Sequence, residues 1–143
     1  MVSAPRNNRW QSEVVLGRLI FRYVLAAFFL AAGANHFRVP ELYLGMMPPW
    51  LPWQLGLVYA SGAAEVLGGV GILVPFARRF SGWGLMVLLI AIFPANLHVA
   101  LQGRMPGFEF SALTLWLRLP LQLVLLAWVW WSTLAPQRNE MLD

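Results

Sequence analysis

The 143-residue chain has no cysteine. That absence excludes a disulfide framework, thiol catalysis, and iron–sulfur or zinc sites built on Cys within the chain. Lysine is missing as well, so all ten basic residues are arginine. Charged residues of either sign make up only 11%, where a soluble domain carries about a quarter. The formal net charge of +4 comes from dispersed arginines, several of them within apolar runs. A clustered basic patch suited to nucleic acid is not present. No phosphate-binding loop and no nucleophile–base pair stands out.

What fills the space is hydrocarbon: 59% of residues are hydrophobic and the mean hydropathy is +0.64. Four apolar segments approach the ~20 residues that a bilayer core requires. They cover 14–35, 54–74, 82–101 and 110–132. Short connections between the later segments favour neighbours that run antiparallel. The expected fold is an all-α integral membrane protein, an antiparallel four-helix transmembrane bundle forming one domain over 1–143. Arg6, Arg9, Arg78, Arg79 and Arg138 fall on one side of it, and only Arg38 and Arg104 on the other. By the positive-inside rule both termini are cytoplasmic. Trp10, Trp50, Trp53, Trp116, Trp128, Trp130 and Trp131 sit near segment ends, as interfacial belts do. A cleaved signal peptide ending near Ala32-Gly33-Ala34 competes for the first segment. Arg18 and Arg22 inside that run argue against it, and both read as side chains that snorkel to the cytoplasmic interface.

The connection over 36–53 is unlike the others. In "VPELY", Pro40 suits a first helical turn and Glu41 the positive end of the dipole, so a short interfacial helix is expected. The following "LGMMPPWLPW" cannot continue it. Met46, Met47, Trp50 and Trp53 are expected to form a lid.

Ionisable groups in hydrocarbon cost about 2.5–3.5 kcal/mol each on insertion scales and therefore mark candidate sites. Glu65 lies about 16 Å into the second segment, counting ~1.5 Å per residue. Ser61, Gly62, Gly68 and Gly69 share its helix face, so that face meets a neighbouring helix. Arg118 lies roughly 12 Å into the fourth segment. It belongs to a polar stripe of Ser111, Thr114, Arg118 and Gln122, with Pro120 expected to bend the helix. Glu65 and Arg118 are predicted to form a buried ion pair. In the third segment Pro94 precedes Asn96 and His98, which a regular helix points to different faces; which of the two looks inward is open. Asn35 and His36 close the outer end of the first segment. Together Asn35, His36, Glu65, Asn96, His98, Arg118 and Gln122 fall at similar depth on four segments, which points to a ligand-binding site.

The pieces "AGANHF", "SGAAEVLGGVGIL", "PANLHVAL" and "LWLRLPLQ", in that order, resemble the DoxX-like family of small four-span bacterial membrane proteins. The resemblance extends from Leu16 to Trp131. It implies a compact four-helix bundle in the bacterial inner membrane, and family positions at Gly33, His36, Glu65, Gly69, Asn96, His98, Arg118 and Gln122. It also implies an association with oxidoreductase systems, including quinone-linked ones.

Two functions compete. In the first, the polar residues bind a lipophilic molecule, with a quinone as the leading candidate: His, Arg and Asn donate to its carbonyls, and soft Met and aromatic groups line its entry. In the second, the chain is a scaffold or assembly subunit docking a partner membrane or redox protein, and the polar cluster only sets helix register. A haem between His36 and His98, or a metal held by His36, His98 and Glu65, is a weaker reading. So is proton relay through Glu65 as part of an enzyme or transporter. The lipid bilayer is the first expected partner, a second copy of the chain another, and nucleic acid is not expected.

Overall fold

The computed structural model describes residues 8–105 and 107–135, with side chains from Glu13 onward. Arg6, Arg9, Trp10 and Arg138, read above as topology and interface signals, lie outside the residues whose side chains are described. The described chain is helical, with no strand beyond one isolated bridge between Met105 and Phe108. Helix α1 spans Asn8–Arg38, α2 Pro40–Leu44, α3 Gln54–Gly71, α4 Arg78–Gln102 and α5 Ala112–Val129, and α5 runs on into a π-helical turn, Trp130–Leu134. Three stretches are long and apolar enough to cross a membrane: Glu13–Arg38, Arg78–Gln102 and Ala112–Leu134. Helix α3, with 18 residues, is not among them, because five glycines, a serine and a glutamate dilute its hydropathy.

Local signals account for the boundaries. Pro40 opens α2 and Glu41 occupies its first turn, as the sequence predicts. Gly103 ends α4 in the left-handed conformation, φ 65°, and its N–H reaches the carbonyls of Val99 and Ala100. Ser111 caps α5 by accepting from the Thr114 N–H at 3.2 Å. Half of the predicted polar stripe is therefore helix capping. Pro94 and Pro120 lie inside continuous helices.

Helix α1 packs most extensively on α3, α3 on α4, α4 on α5, and the π-helical turn returns to α1 and α4. The buried face of α3 carries Ser61, Gly62, Glu65, Gly68 and Gly69. The small residues bring α1 close: a Cβ on Gly33 would stand 2.6 Å from the Gly62 carbonyl oxygen, and one on Gly62 would stand 2.5 Å from His36 Cβ. Two apolar clusters fill the interior. The larger joins Leu25, Phe29, Ile72, Leu85, Leu125 and Val129. The smaller joins Met46, Val99, Met105 and Leu115 at the end of the molecule where α2 lies. Large apolar side chains also cover the outside, Leu67, Val87, Ile90 and Leu123 among them.

Arg22 departs from the snorkelling expectation. It is buried, and its Nε and Nη2 donate to the Ser132 carbonyl at 3.2 and 2.9 Å. A cation there caps the carbonyl end of the last helix. Arg18 lies over the Trp131 ring, 5.3 Å from its centroid. Phe21 meets Trp128 and Trp131 edge-on, so these two tryptophans pack on α1.

Candidate functional site

Near the Gly33–Gly62 crossing, α1 and α3 each bury one ionisable side chain. His36 Nε2 lies 3.6 Å from Glu65 Oε2. On its other edge, His36 Nδ1 lies 2.9 Å from the Val58 carbonyl oxygen and 3.2 Å from Ser61 Oγ. The Ser61 hydroxyl donates to that same carbonyl at 2.9 Å. Tyr43, from α2, stacks on the imidazole with ring centroids 3.5 Å apart. Its hydroxyl accepts from Asn35 Nδ2 at 3.1 Å. Burial raises the Tyr43 phenol above the usual tyrosine range, and the Asn35 hydrogen bond offsets part of that rise.

The predicted Glu65–Arg118 pair does not form. Arg118 Nη1 donates instead to Met46 Sδ at 3.0 Å, and its guanidinium lies over Phe110. The reason is connectivity. Glu65 faces α1 across the glycine contact, whereas α5 packs on α4, so the facing partner of the carboxylate comes from α1.

The question left open at Asn96 and His98 has a definite answer. Asn96 faces α5 and donates to Gln122 Oε1 at 3.0 Å, while Gln122 Nε2 donates to the Leu89 carbonyl. His98 faces the loop. It lines a cleft of about 500 Å³ together with Leu44, Gly45, Met47, Pro49, Val99, Gln102 and Arg104. Six of the seven predicted residues thus separate into three places: Asn35, His36 and Glu65 at the α1–α3 crossing, Asn96 with Gln122 between α4 and α5, and His98 in the cleft. Arg118 makes its contact with Met46, close enough to Tyr43 for the two charges to interact.

The lid divides too. Met46 is buried and Met47 borders the cleft. Trp50 and Trp53 are 72% and 90% exposed and do not line it. Trp53 takes the left-handed conformation, φ 54°, at the start of α3. No third His, Asp or Glu joins His36 and Glu65, and among the described residues no group of three such side chains could hold a metal ion. His98 is therefore not part of a metal set with them.

Sequence reasoning missed Tyr43 and Arg22. Neither has a helical-spacing signal, because each partner lies on another element. Ser61 was visible only as a small residue on the Glu65 face.

The fold and these sites define an all-helical chain with three membrane-length apolar helices and buried polar groups at its helix contacts. The chain belongs to a family described as a domain of unknown function, DUF8561, whose model matches residues 25–133. No curated protein and no solved structure matches the chain.

Proposed function

We propose that the chain is an integral protein of the bacterial inner membrane, a four-helix bundle with both termini cytoplasmic. In this reading it binds a lipophilic molecule with a hydrogen-bonding head, and a quinone is the leading candidate. The observation that carries the reading is the cleft beneath residues 44–49. Its volume of about 500 Å³ falls within the ~300–1,000 Å³ usual for small-molecule sites. Its lining is mixed: Leu44, Met47, Pro49 and Val99 are apolar, and His98, Gln102 and Arg104 are polar. His98 and Gln102 are four residues apart on α4, a spacing that puts both on one helix face. The exposed apolar surface supports the membrane setting. The DoxX-like resemblance of "AGANHF" and "PANLHVAL" supports both the bundle and the quinone.

The test is saturable labelling of the purified protein in proteoliposomes by an azido-quinone. Labelled peptides should come from residues 44–49 and 98–104. His98→Ala should weaken binding about tenfold, which corresponds to ~1.4 kcal/mol. Labelling that does not saturate, or that ignores the cleft, would overturn the proposal.

A scaffold role is the second reading. It is favoured by the Asn96–Gln122–Leu89 contact, where the polar groups are satisfied by one another and present nothing to a ligand. A native mass spectrum of gently extracted protein separates the two readings: a bound small molecule supports the first, a stoichiometric partner protein alone the second.

A further inference from the structure

The hydrogen bonds of His36 fix more than its orientation. A carbonyl oxygen accepts and cannot donate. The 2.9 Å contact between His36 Nδ1 and the Val58 oxygen therefore requires a hydrogen on Nδ1. Ser61 does not supply that hydrogen, because its hydroxyl donates to the same carbonyl. Its oxygen is left as a second acceptor for Nδ1–H at 3.2 Å. With Nδ1 protonated, a neutral imidazole presents a bare lone pair at Nε2. That lone pair faces Glu65 Oε2 at 3.6 Å.

Glu65 Oε2 is buried and has no hydrogen-bond donor. An ionised carboxylate against a bare nitrogen would bury one uncompensated charge and oppose two lone pairs, an arrangement that a low-dielectric interior penalises strongly. One proton on either atom removes the conflict. On Nε2 it makes an imidazolium–carboxylate pair, and on Oε2 it makes a neutral acid facing an acceptor.

We propose that His36 and Glu65 hold one dissociable proton between Nε2 and Oε2, which makes the α1–α3 crossing a buried proton-binding site. The proton belongs to the pair rather than to either residue. Its surroundings are limited. From α2 the facing titratable group is Tyr43, stacked on the imidazole. From α5 it is Arg118, turned to Met46. The histidine of α4, His98, lines the cleft. The site is built into a close helix contact, since Gly62 packs directly against His36 Cβ. Gain or loss of the proton therefore acts on the α1–α3 crossing itself. The inference does not depend on the quinone reading.

The test uses ¹⁵N-histidine-labelled full-length protein in lipid nanodiscs, with nuclear magnetic resonance for the nitrogens and infrared spectroscopy for the carboxyl. The chain has only two histidines, and His98→Gln assigns them. The expected result is Nδ1 of His36 protonated throughout. Nε2 and the Glu65 carboxyl should share one proton at neutral pH and lose it in a single step on alkalinisation. Glu65→Gln supplies an amide N–H to Nε2 in nearly the same volume, so in that variant the step should vanish with His36 left neutral. A bare Nδ1 with a protonated Nε2, a proton-free pair at neutral pH, or a step that survives Glu65→Gln would each overturn the proposal. The wild-type spectra decide the question even if the variant fails to fold.

Discussion

Gln122 shows how one side chain can be read correctly as polar and interior while its task stays hidden. Its depth and spacing on α5 are visible in the sequence. Its partners, Asn96 and the Leu89 carbonyl, are on α4. Gln122→Ala removes both bonds and should cost about 1–3 kcal/mol, seen as a lower Tm in detergent. Gln122→Glu retains the acceptor for Asn96 but loses the donor to Leu89, and it should not recover full stability. Tyr43 makes a pH-dependent prediction. Its phenol ionises above the ordinary tyrosine range in the folded state, so the folded protein binds more protons than the unfolded chain above pH ~10. Stability from this group is complete below that value and falls as pH rises through the folded pKa. Tyrosinate absorbance should show a late phase from Tyr43, and Tyr43→Phe should abolish it.

At the scale of elements, the α1–α3 contact rests on missing Cβ atoms. Gly33→Ala or Gly62→Ala would drive a methyl against backbone or His36 at 2.5–2.6 Å and should cost about 1–3 kcal/mol by overpacking. Gly84→Ala is the control. Nothing lies within 4 Å of its added Cβ, so higher helix propensity should leave it neutral or up to ~1 kcal/mol more stable. Thermal unfolding of the three variants in one detergent checks both. The glycine and serine face of α3 was legible from its spacing of three and four residues, and α2 from Pro40 and Glu41. The partner of Glu65 was not. Spacing along one helix says which way a side chain points and nothing about which helix stands opposite, so the predicted Glu65–Arg118 pair gave way to Glu65–His36. The cleft was equally hidden, because it depends on how residues 44–49 fold back over the end of α4.

For the whole molecule, the apolar exterior and the lack of cysteine make topology directly measurable. Single cysteines placed at Trp50 and at Phe76, which is 92% exposed, introduce the only thiols in the chain. On the proposed topology, in which both termini are cytoplasmic, a membrane-impermeant maleimide applied to intact spheroplasts should label Trp50→Cys and spare Phe76→Cys until the membrane is opened. The reverse pattern would invert the proposed orientation. The Arg22–Ser132 clamp has a consequence in time as well as in space. Its two ends are 110 residues apart, and at ~5–20 residues per second a ribosome takes roughly 5–20 s to make that length. Throughout that interval a guanidinium destined for the interior has been synthesised without its acceptor. In the proposed membrane setting the nascent chain depends on lipid head groups or the insertion machinery to shelter the charge, and the helices close on one another only once the Trp130–Leu134 turn is made.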